Sequence, residues 1–211
     1  MLLIIDRSII KFVARLKNQK VFDQNRARLL ELGVELIRSR SFQGIGIKDI
    51  LKLAEIPKGS FYHYFENKEA FGLQVAQFYH DNQMHSAKAT LTDESQGYTE
   101  RLYNFFSGAA EQFREREFKQ GCLMCNLSTE LADENENFQT LLSKHWQELS
   151  TEIAKCINEL GTEKLGLAHL SPEECADWLI NAWGGSLTRM KATGDSKPLQ
   201  LFLKTIFVNR T

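Results

Sequence analysis

Proline is scarce. It occurs only at positions 57, 172 and 198 of the 211 residues, so long stretches are free of the residue that removes a backbone donor and clashes inside a helix. No apolar run approaches the roughly 20 residues that a membrane span needs, so no membrane partner is expected. The N-terminal "MLLIIDRSIIKFVARLK" has no basic start and is broken at Asp6 and Arg7, which argues against a secretory signal. Cysteine is also sparse, and four residues without a disulfide-rich composition read as thiols in a reducing cytoplasm. Internal repeats, low-complexity tracts and β-hairpin signals are missing, as is a glycine-rich phosphate loop after a strand. Neither a Cys/His/Asn motif nor paired carboxylates in a distinguishing context point to an enzyme, and no cofactor is implied.

What is present is helical periodicity. The composition, 43% apolar and 25% charged, is that of a globular chain with one well-cored domain or two small ones. Leu29, Gly33 and Leu36 with Leu30, Val34 and Ile37 form the stripe of an amphipathic helix, expected from an N-cap at Asp23 to Arg40. Tyr98, Leu102, Phe105, Ala109 and Phe113 repeat the pattern, as do Phe138, Leu142, His145, Leu149 and Ile153. "SPEE" supplies a capping box with Ser171 as N-cap, Pro172 at N1 and Glu174 at N3. The expectation is an all-α chain of about nine helices, broken at polar stretches such as "TDESQG" and "DENEN".

Two expected helices are too short for packing alone to explain. "GIKDILKL" makes about two turns, "AEI" turns the chain, and "PKGSFYHYF" makes two more before "NKEAF" opens a long helix, the layout of a helix-turn-helix. At about 100° per residue, Phe61 and Phe65 share one face while Gly59, Ser60 and His63 lie opposite, with Tyr62 and Tyr64 on the flanks. Small and hydrogen-bonding residues suit a major groove, and amphipathic rings suit the sugar-phosphate wall. Lys48, Lys58 and Lys68 fall near the ends of three successive helices, where ammonium groups and helix N-termini both meet phosphates. The alternative is an aromatic-rich junction between two helical layers.

At these residues the sequence resembles the TetR family of transcriptional repressors, through "IKDILKLAEIPKGSFYHYFENKEAF" and over about residues 23 to 72. The resemblance implies a DNA-binding regulator with a helix-turn-helix domain over 21–68, an effector-sensing and dimerisation domain over 69–211, and an N-terminal extension of unknown role over 1–20. It makes Lys48, Lys58, Gly59, Ser60, Tyr62, His63, Tyr64 and Lys68 the DNA-facing set, on a palindromic double-stranded operator. Gly46 replaces a frequent Ser or Thr cap, Glu55 a frequent turn glycine and Pro57 a frequent Ser or Thr. The first two departures cost local stability.

Charge has the matching sign. Residues 1–70 hold 13 Lys and Arg against 8 Asp and Glu, a net of +5, while 71–211 hold 13 against 19, a net of −6. The first 20 residues supply +4 of that excess. Ile5, Ile9, Phe12 and Leu16 in that segment fit a membrane-surface helix or an extension without a role.

The rest of the chain then serves dimerisation and sensing, because one recognition helix reads too few base pairs for a specific operator. The resemblance implies a homodimer built as a four-helix bundle from the last two helices, with Trp178, Trp183, Gly184, Leu187, Phe202 and Ile206 at the interface. An intramolecular core is the other reading. In "GCLMCNLSTELAD", Cys122 falls at a helix start, where the unpaired N–H groups and the macrodipole favour a thiolate. Cys125 makes a CxxC, a spacing that suits a metal or a redox pair; no second closely spaced ligand pair supports a metal, and the reading taken for Cys125, Cys156 and Cys175 is that of small buried hydrophobes. "GCL…LS.E" with a later "W…K" resembles the NemR-type repressors of the family, which sense electrophiles and oxidants. That implies Cys122 as the sensing thiol with Lys191 near it. An apolar effector pocket lined by Phe105, Phe106, Phe113 and Trp146 is the alternative; a helical carrier or thiol enzyme without DNA binding is a third.

Overall fold

With so few breakers the described residues form nine α-helices and no strand, as the periodicity implies. The computed structural model describes residues 7–208, with side chains from residue 19 onward except that of Lys58. The expectations for the side chains of Ile5, Ile9, Phe12 and Leu16 lie outside the described residues. Helix α1 spans Arg7–Arg40, α2 Ile47–Ala54, α3 Phe61–Tyr64, α4 Lys68–Leu91, α5 Tyr98–Glu115, α6 Leu123–Leu131, α7 Glu136–Leu160, α8 Pro172–Thr193 and α9 Lys197–Ile206. A 3-10 turn at Lys58–Ser60 leads directly into α3.

The expected start at Asp23 is wrong. Asp23 lies inside α1, where its carboxylate accepts from Gln19 Nε2 at 3.0 Å. No glycine or proline stands between Arg7 and Gly33, so nothing opposes propagation of the helix upstream of the amphipathic stripe. The other boundaries follow their caps. Asn67 accepts from Ala70 N at 2.8 Å to open α4, and Asn135 accepts from Asn137 N and Phe138 N to open α7. At α8 the full box forms: Glu174 N donates to Ser171 Oγ at 3.2 Å and Ser171 N to Glu174 Oε2 at 2.8 Å.

Packing divides the interior unevenly. The N-terminal core joins Leu29 and Ile37 of α1, Ile50 of α2, Phe61 of α3 and Val75 of α4, and it also takes in Leu123, Leu127 and Leu131 of α6. Helix α6 is therefore part of the interior of the DNA-reading end, and each such side chain contributes about 1.5–3 kcal/mol on burial. Helices α1 and α4 cross at Gly33, where a Cβ would lie 2.6 Å from Phe71 and Val75. The second core gathers Phe106, Leu149, Ile153, Leu179 and Phe202 from α5, α7, α8 and α9.

Helices α4 and α7 also meet through two histidines. The buried rings of His80 and His145 stack with centroids 3.9 Å apart, 3° from parallel. His80 Nε2 meets Glu148 Oε2 at 2.6 Å and His145 Nε2 meets Gln77 Oε1 at 3.2 Å. Burial, then the neighbouring His80, lowers the pKa of His145 to about 4. Its unfolded value is about 6.5, so between those values the unfolded chain binds the proton first and stability falls with pH. Lowering pH from 7 to 5 is expected to reduce the urea unfolding free energy by about 2 kcal/mol more in the wild type than in His145→Gln. Equal declines in both proteins would contradict this account.

Candidate DNA interface and effector site

The helix-turn-helix is held from inside by rings. Phe61 and Phe65 are 0% and 2% exposed and pack edge-on against Phe71, at centroid distances of 5.7 and 4.9 Å. That wedge fixes which face α3 turns outward. Tyr62 is 66% exposed, Gly59 and His63 are exposed, and Ser60 is half-buried. A Cβ built on Gly59 meets nothing within 4 Å, so no internal contact demands a small residue there.

The turn carries the two local costs expected from sequence. Gly46 gives the start of α2 no side-chain acceptor, although its own N–H reaches Asp49 Oδ2 at 3.0 Å. Glu55 ends α2 in the left-handed region, at φ 56° and ψ 34°, which costs a residue with a Cβ about 1 kcal/mol.

The lysines and Tyr64 are placed differently from one another. Lys48 is exposed in the first turn of α2. Lys68 opens α4, but its ammonium turns back to the Gln43 carbonyl at 3.4 Å and sits 4.7 Å over the Phe42 ring. Tyr64 is half-buried, stacks on Phe22 at 4.7 Å and accepts from Asn25 Nδ2 at 3.1 Å, so α1 holds its hydroxyl. The Lys58 side chain lies outside the described residues.

The second site surrounds Cys122. Glu117, Phe118, Gln120 and Gly121 all have positive φ, from 53° to 70°. Three of them are not glycine, so the chain is wound tightly at a local cost to bring Cys122 to the N-cap of α6. There the Cys125 thiol, the N–H groups of Cys125 and Met124, and the Tyr79 hydroxyl face its sulfur; they outweigh burial and lower its pKa to about 6. Tyr79 Oη donates at 3.7 Å. Cys125 is pushed up by its bond to Cys122, and Tyr79 is raised by burial. Burial raises Cys156 and Cys175 to about 11. Lys191 lines the same cleft as Cys122, its Nζ donating to Asn126 Oδ1 at 3.4 Å.

Two cavities meet at Cys122. An open cleft of about 770 Å³ is bounded by Arg38 and Gln43 on one side and by Asn126, Glu130 and Lys191 on the other. A more enclosed cavity of about 360 Å³ lies between α4, α5, α7 and α8. Phe105, Phe106, Phe113 and Trp146 all line it, joined by the polar Gln83, Asn104 and Gln112. Gln83 Oε1 is buried there without a partner.

The residues expected at a partner interface divide. Leu187, Phe202 and Ile206 are buried in the chain's own core, at 4–6% exposure, because α8 and α9 turn one apolar face inward. Trp183 lies against Phe106 and Phe202 at 5.4 and 5.1 Å and lines the enclosed cavity with Gly184. Trp178 and Leu201 face outward, 41% and 58% exposed.

Sequence reasoning did not single out the polar ties between the two sites. Arg38, 4% exposed, donates from Nε to the Gly121 carbonyl at 2.9 Å. Glu130, on α6, accepts from Phe42 N at 2.9 Å and Gln43 N at 2.7 Å. Arg38 falls on the apolar stripe one turn after Val34, a charge out of place that was its only signal. Glu130 and Tyr79 carry no local signal, since their partners are 43 to 88 residues away.

Residues 29–75 match the family described as bacterial regulatory proteins, tetR family, and residues 99–206 the one described as tetracyclin repressor-like, C-terminal domain. The chain is 37% identical over 183 residues to the HTH-type transcriptional repressor DhaR of Mycobacterium sp. (strain GP1), covering 86% of this chain and 90% of that one. It is 31% identical over 185 residues to the HTH-type transcriptional repressor NemR of Escherichia coli (strain K12), covering 87% and 92%. The crystal structure of reduced E. coli NemR is similar at a TM-score of 0.78 and 29% identity, over 87% of this chain and 95% of that one. A regulatory protein TetR from Rhodobacter sphaeroides is similar at 0.80 and 28%, over 86% and 96%.

The cradle around Cys122 sets a reactivity test. Alkylation by iodoacetamide is expected to rise with a midpoint near pH 6, to which the thiol is lowered by its neighbours. Tyr79→Phe removes one donor to the thiolate and should move the midpoint up, while Cys156 and Cys175 stay unlabelled in the folded protein at pH 7. A midpoint at or above about 8.5, the unperturbed value, would contradict the assignment.

Proposed function

The chain belongs to the tetR family of bacterial regulatory proteins, and from that premise we propose that it is a homodimeric transcriptional repressor released from its operator when Cys122 is modified. The observation that carries the reading is the pair of sites built by one fold: an outward α3 face whose inner face is locked by Phe61 and Phe65, and a thiol with a lowered pKa at the start of α6. The similarity to NemR, whose crystal structure is of a reduced form, agrees with thiol chemistry. Family membership argues against a carrier or a thiol enzyme.

On DNA, α3 enters the major groove with Gly59, Ser60, Tyr62 and His63 against it. Lys48 reaches a phosphate, as does Lys58 before α3, and Lys68 at the start of α4 does so once its ammonium turns away from the Gln43 carbonyl. The vacant space over Gly59 lets the backbone come close. Trp178 and Leu201 form the outward apolar part of the dimer face, and two copies place their recognition helices about 34–36 Å apart, or a multiple.

An electrophile or oxidant entering through the cleft or the cavity reacts with the Cys122 thiolate. The added bulk displaces the first turn of α6, and a close-packed interior answers with discrete shifts. The shift reaches the DNA end by two routes. Tyr79 passes it along α4, and Glu130 passes it to the loop before α2.

A second reading rests on the enclosed cavity, which with its aromatic walls and the unpartnered Gln83 Oε1 suits a small amphipathic effector bound without a covalent bond.

Fluorescence anisotropy on the DNA upstream of the coding region tests the first reading. Lys48→Ala should reduce the salt slope by about 1 for each lost phosphate contact, and Tyr62→Ala should weaken binding further. Under N-ethylmaleimide the wild type is expected to leave the DNA and Cys122→Ser to stay bound. If both leave equally, Cys122 is not the sensor; if only a non-covalent ligand releases the protein, the cavity reading replaces it.

A further inference from the structure

The sequence offers Cys125 as half of a CxxC but reads it by default as a small buried hydrophobe, and the structure sets it apart from the other two remaining cysteines in burial and in the cavities it lines. It is half-buried and lines both the cleft and the enclosed cavity, as Cys122 does. Cys156 and Cys175 line neither, and Cys156 turns its thiol to the Tyr98 carbonyl at 3.6 Å. Cys125 stands three residues after the N-cap cysteine, in the first turn of α6. That spacing sets the two side chains one turn apart on the same side of α6. On the opposite side α8 presents Gly184, whose missing Cβ would lie 3.9 Å from Cys125 Sγ. The glycine leaves the Cys125 side chain room in which to turn.

We propose that Cys122 and Cys125 form a two-cysteine redox switch, in which a hydroperoxide oxidises Cys122 and Cys125 resolves the product as an intrachain disulfide. The inference deepens the reading of Cys122 as the sensing residue and rests on it.

The chemistry balances in two steps. The Cys122 thiolate attacks the terminal peroxide oxygen and the O–O bond breaks; the sulfur gives up two electrons and becomes a sulfenic acid, while the other oxygen leaves as hydroxide, or as alkoxide from an organic hydroperoxide, and is protonated to water or the alcohol. The Cys125 sulfur then attacks Cys122, the S–OH bond breaks, and the hydroxide leaves as water with the Cys125 proton.

The cradle controls the order of these steps. While Cys122 is a thiolate, the hydrogen bond to it holds the Cys125 thiol protonated, so only Cys122 reacts with the oxidant. Oxidation removes the negative charge, and with it the largest cause that holds the proton on Cys125, leaving only burial to raise it. The disulfide also takes away the acceptor of the Tyr79 hydroxyl, so α4 loses a tie to α6. Unlike an alkyl adduct, this signal is reversible by a thiol reductant.

The test treats the full chain with hydrogen peroxide, blocks free thiols with N-ethylmaleimide and analyses tryptic peptides by mass spectrometry. Cys122 and Cys125 fall on one peptide, Gln120–Lys144, which holds no other cysteine. In the wild type this peptide is expected to lose the mass of a hydrogen pair and to take no maleimide, and dithiothreitol should reverse both. In Cys125→Ser the reaction should stop at a Cys122 sulfenic acid that dimedone captures. A wild-type peptide that takes dimedone as readily as Cys125→Ser, with no loss of hydrogen, overturns the proposal. Phenylarsine oxide needs no variant: one arsenic should bridge both sulfurs of the reduced wild type, and failure to bridge also overturns it. Operator binding is read in the same samples and keeps the two claims apart. Release by peroxide that persists unchanged and reversible in Cys125→Ser leaves Cys122 sensing intact and removes the disulfide. A disulfide that forms without release removes the sensing role and leaves the dithiol chemistry.

Discussion

One carboxylate ties the two ends of this chain together. Glu130 projects from α6 and accepts from two consecutive backbone N–H groups, Phe42 and Gln43, in the loop that leads into α2. Hydrogen bonds to a charged group contribute about 1.5–3 kcal/mol each. A shift of operator occupancy from 99:1 to 1:99 needs about 5.5 kcal/mol of preference between two states. Two such bonds have that size. The Arg116–Glu35 ion pair between the same regions, at 3.6 Å and partly exposed, belongs to a class that contributes about 0–1 kcal/mol. The clamp, with the buried Arg38 on the Gly121 carbonyl, is therefore the contact whose loss matters to the DNA-reading end.

Helix α6 is suited to this position because its two ends do different things. Its N-terminus collects donors around a sulfur that is approached through two cavities, and its far turn carries Glu130. Between them Leu123, Leu127 and Leu131 are packed into the core of the helix-turn-helix. A short helix of nine residues held by a continuous apolar face moves as a unit rather than bending. The wound loop before it, with three non-glycine residues in the left-handed region, stores conformational cost next to Cys122.

What the sequence made legible follows from where each signal is stored. Helices, caps and the helix-turn-helix are local patterns: the Ser171 box, the Phe61 and Phe65 face and the Cys122 helix start all depend on residues within one or two turns, and all are found as expected. The start of α1 was misjudged because a good N-cap residue, Asp23, was read without asking whether anything stopped the helix before it. Leu187, Phe202 and Ile206 are buried within the chain itself, and apolar periodicity marks burial and not what does the burying. The Glu130 clamp, the Tyr79 donor and the two stacked histidines join residues 43 to 88 positions apart, and no local pattern encodes such pairs. The CxxC spacing alone does not separate a redox pair from a small buried hydrophobe at Cys125, because a cysteine in a helix resembles any small apolar residue until its surroundings are placed.

The central claim is that α6 carries the state of Cys122 to the DNA end through Glu130, and it is tested by one ratio. Operator dissociation constants are measured before and after N-ethylmaleimide for the wild type and for Glu130→Ala, with adduct formation at Cys122 confirmed in both by mass spectrometry. The account predicts a large ratio in the wild type and a ratio near unity in Glu130→Ala, at equal labelling. The same large ratio in both proteins would contradict it, and would place the signal on α4 alone.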